Sequence, residues 1–257
     1  IAAQTVIDAL AIAFATKADK PDIERAFNIT SDLGLVGETL CQNGIDGVRG
    51  MKVHVGNPIR AMLAERLSSP EELLERLDGK AMFEYKYDGL RIQAHISDSG
   101  IKLYSRRLED MTEQFPDVAK ALREAFTGVD AIVEGECVPI DINTGEFLPF
   151  QEVSHRRGRK HDLSEAIEDY PVRFHLFDCL YFDGEDLTLK PLPQRRETLS
   201  KCVKITPSVK LSEAKVLDDP EKVQTFFMQA LADGCEGLMA KSIANDSIYR
   251  AGARGYL

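Results

Sequence analysis

The stretch Phe83–Ile96, FEYKYDGLRIQAHI, constrains the fold more than any other part of the chain. Side chains two apart on a strand share a face, so Phe83, Tyr85 and Tyr87 point one way and Glu84 and Lys86 the other. Beyond the turn signal Asp88-Gly89, Leu90, Ile92, Ala94 and Ile96 alternate against Arg91, Gln93 and His95. The pattern predicts a β-hairpin with one apolar face and one charged face. Taken alone, such a charged face reads as solvent-exposed surface. A lysine set among Glu84, Asp88 and Arg91 also suits chemistry.

Further strands are expected at Met82–Tyr87, Leu90–Ile96, Lys102–Ser105, Ala131–Ile140, Val172–Phe182 and Gly237–Ser242. Helices are expected at Pro116–Phe126, Leu163–Asp169, Pro193–Val203 and Pro220–Asp233, with Pro70 opening another through EELLERL. Strands outnumber helices and do not alternate regularly with them, which points to an α+β fold with antiparallel sheets. The first 47 residues read differently, as helices. Val6, Leu10 and Phe14 recur at helical spacing, Pro21 suits a first turn, and Ser31 or Asp32 can cap LGLVGETLCQ. A Gly-rich linker, NGIDGVRGMKVHVGNP, follows.

A length of 257 residues with 44% hydrophobic and 29% charged residues fits an ordinary globular chain. No apolar run approaches the roughly 20 residues that cross a bilayer, so no membrane is expected. The opening IAAQTVIDALAIAFATK lacks an initiating methionine and a basic leader, and reads as the middle of something rather than a signal peptide. Five cysteines form no C-x-x-C pair, which argues against zinc and a disulfide framework and for a reducing, intracellular setting. The net charge of −10 looks hostile to nucleic acid, but polyanion binding depends on the local field where phosphates lie. The densest basic run is HRRGRKH at His155–His161, which in isolation reads as a solvated loop.

Five short motifs change the balance. KYDG at Lys86–Gly89 is followed by YSRRLEDMT from Tyr104, VEGECV from Val133, FHLFDCLYFDG from Phe174 and CEGLMAKS from Cys235. In order and rough spacing they resemble the nucleotidyltransferase motifs of ATP-dependent DNA ligases, most closely the archaeal and eukaryotic replicative type. The resemblance implies an antiparallel-sheet nucleotidyltransferase (adenylation) domain of the DNA ligase and capping-enzyme type over residues 58–257. It implies that residues 1–47, with SDLGLVGETL, are the tail of a helical DNA-binding domain, joined through a linker at 48–57.

The resemblance makes Lys86 the nucleophile that attacks the α-phosphate of ATP, expels pyrophosphate and carries AMP through a P–N bond. The complete enzyme would pass AMP to a 5′-phosphate at a nick, and the 3′-hydroxyl would then seal the strand. The chemistry is demanding, because an ammonium with an ordinary pKa near ~10.4 has almost no free lone pair at neutral pH. Lowering that value by about three takes roughly 4 kcal/mol. One positive charge about 4 Å away at an effective dielectric of ~20 supplies about as much. Magnesium with the ATP phosphates is the implied source.

Other roles are likewise implied by the resemblance. Glu84 matches the acceptor for the adenine amino group, Arg91 and Glu136 match residues at the ribose, and Phe177 matches the aromatic that stacks on adenine. Arg106 and Arg254 match phosphate contacts, and Lys241 matches the lysine of the E-G-x-x-x-K motif. Glu236, with Glu136, matches the carboxylates that position Mg2+. The basic run becomes a candidate DNA-tracking loop through Arg156, Arg157, Arg159 and Lys160. Without the family, Phe177 would read as core, Arg106 and Arg107 as surface salt-bridge partners of Glu109 and Asp110, and the Glu134/Glu136 pair as either surface or site.

The family continues past YRAGARGYL into a last motif strand and an oligonucleotide-binding barrel, so the sequence is expected to be a fragment, slow at self-adenylylation and unable to seal nicks alone. Nicked double-stranded DNA is the expected partner, with a sliding clamp as an optional one for the full-length enzyme. A monomer in the cytoplasm, or the nucleus of a eukaryote, is the expected state. The alternatives are an RNA ligase or mRNA-capping guanylyltransferase, which also use K-x-D-G lysines, and a non-catalytic nucleic-acid-binding module.

Overall fold

The computed structural model describes residues 2–67, 69–154, 167 and 169–253. Three helices come first: α1 (Ala3–Phe14), α2 (Lys20–Thr30) and α3 (Leu33–Arg49). Pro21 sits in the first turn of α2, and Ser31, in the left-handed region at φ 53°, ends it. Asp32 then caps α3, its Oδ1 accepting from Leu35 N–H at 3.0 Å. The buried stripe of α1 is Ile7 and Ala11, while Phe14 is exposed. The expected Val6-Leu10-Phe14 stripe has the right period but is turned by one residue. An apolar helix offers two adjacent stripes, and packing against Ile23, Ala26, Val36 and Leu40 selects the other. The stretch read as linker is helical as far as Arg49, broken only at Gly44 (φ 66°).

Beyond α4 (Pro70–Arg76) the chain builds two sheets. The strands are β1 (Ala81–Lys86), β2 (Leu90–Ser97), β3 (Gly100–Ser105), β4 (Ala131–Pro139), β5 (Val172–Phe182), β6 (Glu185–Asp186), β7 (Val209–Leu211), β8 (Ala214–Leu217) and β9 (Gly237–Ser242). A three-stranded antiparallel sheet has the order β8-β1-β9, and the larger sheet runs β3-β2-β4-β5-β6, with β7 parallel to β5. Helices α5 (Pro116–Ala125), α6 (Phe150–Ser154), α7 (Leu192–Cys202) and α8 (Pro220–Ala232) pack around the sheets. The expected helix at 163–169 lies mostly outside the described residues. No described helix is long and apolar enough to cross a membrane.

The expected hairpin at Asp88-Gly89 does not form. Both edges of β1 are taken by β8 and β9, and both edges of β2 by β3 and β4, so Tyr87–Gly89 carries the chain from one sheet to the other. Gly89 answers to close approach rather than to a hairpin turn. A Cβ there would lie 2.5 Å from the Cys137 carbonyl oxygen and 2.9 Å from Glu136 Cγ. The apolar faces go where the alternation placed them. Phe83, Tyr85 and Tyr87 pack with Val223 and Phe226 of α8, while Ile92, Ala94 and Ile96 join the core under α5 and α7. Each fully buried large side chain, such as Phe83 or Phe174, contributes about 1.5–3 kcal/mol.

A fourth apolar cluster fastens the helices to the larger sheet, with Ile29 meeting Ile59, Met62, Ile132, Leu180 and Tyr249. A buried polar chain runs beside it. Gly56 N–H donates to His95 Nδ1 (2.9 Å), so the neutral ring donates from Nε2 to Gln93 Oε1 (2.9 Å). Ile59 N–H donates to the same oxygen (2.7 Å), and Gln93 Nε2 donates back to Ile59 O (3.0 Å).

Burial pushes His95 down to about 3. Burial, with Arg173 and Lys210 nearby, does the same to His175, which packs against Tyr87 and Phe147 with neither ring nitrogen hydrogen-bonded. In the unfolded chain both rings titrate near ~6.5 and hold protons that the folded chain refuses. Stability is therefore complete above that pH and falls as pH drops toward 3. Urea unfolding between pH 7 and 4 should show this loss. His175→Phe should flatten the slope by up to about 1.4 kcal/mol per pH unit, and an unchanged slope would refute the assignment.

Candidate nucleotide site

The two sheets face each other across a cleft of about 590 Å3, within the size range of small-molecule sites. Lys86 ends β1 at its rim. Its backbone is fixed by β9, where Lys86 is registered against Gly237 and its carbonyl accepts from Glu236 N–H at 2.8 Å. The same pairing brings the Glu236 carboxylate against Lys86 Nζ as an ion pair. Both side chains remain nearly half exposed to the cleft.

One strand step back, Glu84 is buried on the same side of β1. Its Oε1 accepts from Lys241 Nζ at 2.7 Å. Its Oε2 has no hydrogen bond; Arg196 forms an ion pair with it through Nη1 at 3.4 Å, while donating from Nη1 to Leu176 O and from Nη2 to Ser212 O. A buried acceptor left open in a cleft calls for a donor from whatever fills it. Phe177 faces the same space. The register of β4 against β5 slips between Glu134 and Gly135, leaving Phe177 without a partner on β4, and the bulge turns its ring into the cleft instead of the core. Lys241 Nζ lies 4.6 Å from the centre of that ring and Arg91 Cζ 5.2 Å from it.

Arg91, the second residue of β2, lies directly across from Glu136 on β4. It donates from Nη2 to Glu134 Oε2 (2.7 Å) and from Nη1 to Met62 O (3.2 Å). Glu134 is almost fully buried and also accepts from Tyr249 Oη (3.0 Å) and Gln93 Nε2 (3.2 Å). Burial disfavours the charge on Arg91, but the Glu134 and Glu136 carboxylates outweigh it and raise its pKa. Glu136 has no such partner. Loss of hydration raises it to about 8 against the pull of Arg91 and Lys86, with Asp88 and Glu134 adding to the rise.

Arg106 lies exposed at the cleft mouth, on a turn organised by Ser105, whose Oγ accepts from Arg107 N–H and Glu109 N–H at 3.2 Å each. The surface ion pair read for the two arginines does not involve Asp110, which is held by Lys102 at 2.9 Å. Lys86, Glu84, Arg91, Arg106, Glu136, Phe177, Glu236 and Lys241, drawn from six strands or their ends, thus line one cleft. Arg254 and the run Arg156, Arg157, Arg159 and Lys160 lie outside the described residues.

Residues 61–257 match the family model of the ATP dependent DNA ligase domain. The chain belongs to this family. It is 51% identical to the DNA ligase of Sulfophobococcus zilligii over 254 residues, which are 98% of this chain and 42% of that protein. To the DNA ligase of Aeropyrum pernix it is 48% identical over the same shares. The chain therefore spans about two-fifths of the length of the curated relatives it matches. Among solved structures, a mycobacterial DNA ligase D complexed with ATP and MES superposes with a TM-score of 0.57 at 27% identity, over 76% of this chain and 57% of that one. The α+β reading with antiparallel sheets agrees with this DNA ligase neighbour.

Several residues of the ligase-family cleft escaped the sequence reading. Glu134, not only Glu136, is central, as the buried acceptor for three side chains, Arg91, Gln93 and Tyr249. Tyr249 closes the cleft from the far end of the chain. Asp178 is gripped by Arg195 in two hydrogen bonds of 2.8 and 3.0 Å, both side chains buried. The proline and paired arginines of PQRRE marked a helix but gave no hint that both arginines turn inward. Removing one partner of a buried ion pair strands the other. Glu134→Ala should cost roughly 3–5 kcal/mol in denaturant unfolding, whereas Tyr249→Phe, which removes one hydrogen bond, should cost about 1 kcal/mol.

Proposed function

We propose that this chain is the nucleotidyl-transfer unit of a DNA ligase and that Lys86 takes AMP from ATP. The observation that carries the reading is the Lys86 amine in a nucleotide-sized cleft, with Glu84, one carboxylate oxygen free of hydrogen bonds, one strand step behind it and the Phe177 ring lining the same space. Family membership supports ATP as the substrate.

In the free chain Lys86 is paired with Glu236. Attack requires the ammonium to give up its proton, through the paired Glu236 carboxylate to water at the half-exposed rim, and turn its lone pair to the α-phosphorus. The N–P bond forms, the bond to the bridging oxygen of the β-phosphate breaks, and pyrophosphate carries away the electron pair. Glu84 accepts the exocyclic amine of adenine and Phe177 stacks on the ring. Arg91, already oriented by Glu134, meets the ribose with Glu136. Arg106 at the mouth meets phosphate oxygens, a planar guanidinium being well suited to them. Arg254 is assigned the same kind of contact.

Among the described residues no three of His, Cys, Asp and Glu gather into a metal cage. Glu236 and Glu136 beside Lys86 still fit Mg2+, which favours few protein carboxylates with water and substrate phosphates. Those two would hold the ion, which when bound supplies positive charge to the phosphate oxygens. In the whole protein AMP passes from Lys86 to a 5′-phosphate oxygen at a nick, and the 3′-hydroxyl then displaces it. Nicked duplex DNA is the partner, with Arg156, Arg157, Arg159 and Lys160 as further phosphate contacts. A monomer, a cytoplasmic or nuclear setting and an optional sliding clamp complete the reading.

Intact-mass measurement after incubation with ATP and magnesium should find one added AMP, absent from Lys86→Ala and absent when GTP replaces ATP. A GMP adduct would move the assignment to capping chemistry, and an adduct that survives Lys86→Ala would remove the nucleophile. Phe177→Ala should raise the ATP concentration needed for half-maximal labelling by roughly two- to tenfold, the worth of one aromatic stack.

A further inference from the structure

A second cleft, of about 580 Å3, opens beside the first where α1, α2 and the segment after Pro58 meet the turn after Ser105. Leu63, Arg106 and Arg107 line both clefts, so the two share a wall. Arg60 joins the two arginines there, and the only carboxylate among its described lining residues is Glu24. Among the described residues none of these three guanidiniums has an ion-pair partner. In a chain of net charge −10 this is a local reversal of sign, built into a concave surface.

Arg60 is fixed at both its backbone and its side chain. Its N–H donates to Asn28 O at 2.9 Å, and its carbonyl accepts from Gly252 N–H at 3.2 Å, so its backbone is tied to the helices on one side and to the end of the described chain on the other. Its guanidinium lies 4.9 Å from the centre of the Phe27 ring, which orients the group while leaving its hydrogen-bond donors unclaimed. Ile7, Phe27 and Ala61 give the same cleft an apolar wall suited to sugar faces.

We propose that this second cleft takes the sugar–phosphate strand whose 5′ end enters the nucleotide cleft, with Arg60 binding a phosphate one or more nucleotides from the reacting end. This rests on the function proposed above and assigns Arg60 as a substrate-positioning residue. The cleft is as large as the nucleotide cleft itself, more than the tail of a triphosphate fills, and Arg106 and Arg107 make the phosphate-binding surface continuous from one to the other.

The test uses the chain loaded with AMP and a nicked duplex carrying a 5′-phosphate, with affinity read by fluorescence anisotropy across a salt series. Arg60→Ala should take up AMP as fully as the parent, which also reports an intact fold. It should bind the nick roughly five- to tenfold more weakly and lower the slope of log affinity against log salt by about one. Arg60→Lys should restore the slope. Phenylglyoxal labelling, read by mass spectrometry, should find Arg60 shielded by the nicked duplex and not by a non-hydrolysable ATP analogue or pyrophosphate. Shielding by ATP or pyrophosphate alone would give the cleft to the nucleotide tail and overturn the proposal. So would an affinity and slope unchanged in Arg60→Ala, or a loaded parent chain that does not bind the nick. A parent chain that takes up no AMP would instead overturn the function reading itself.

Discussion

The Glu134 carboxylate is the contact on which the site depends. It is almost fully buried and accepts from Arg91 on the same sheet, from Tyr249 near the end of the described chain and from Gln93, which in turn holds the backbone of Ile59. A charge so placed is costly unless its lone pairs are used, and here three donors do so, two from β2 and one from the closing segment. Satisfying it therefore brings the connecting segment, the larger sheet and the closing segment into one arrangement. Arg91 is thereby aimed before any ligand arrives, which is the preorganisation a binding cleft needs.

The cleft exists because two sheets meet without merging. Had β1 and β2 paired, Lys86 and Arg91 would flank one flat hairpin. Instead the chain crosses between sheets at Tyr87–Gly89, leaving Lys86 on one wall and Arg91 on the other. The helical segment contributes through Ile29 and the Asn28–Arg60 backbone bond rather than by reaching into the cleft. The second cleft forms where that segment lies against the larger sheet.

Much of this was legible in the residues. Alternation located the buried face of β1, Asp32 and the prolines marked helix starts, and the motif order gathered eight side chains that do line one cleft. What failed was partner choice. An Asp-Gly pair flanked by alternating residues reads as a hairpin because local pattern carries no information about which strand fills each edge. Phe177 in an apolar run reads as core, since a bulge is a slip of register between two strands and has no signature within one. Glu134 reads as either surface or site, and nothing in the local pattern singles out Asp178, Arg195 or Arg196, because only the folded chain shows how each buried charge is paired. The Ile7 stripe of α1 was missed for a related reason: a helix apolar on two adjacent stripes does not reveal which of them its neighbours cover.

Gly89 carries one consequence beyond its own turn. The spacing of the walls that hold Lys86 and Arg91 is set there by an absent methyl group, since even alanine would drive a carbon to within 2.5 Å of the Cys137 carbonyl oxygen. The glycine of the KYDG motif thus acts as a gauge, and any larger residue would have to pry the jaws apart before a nucleotide could be gripped.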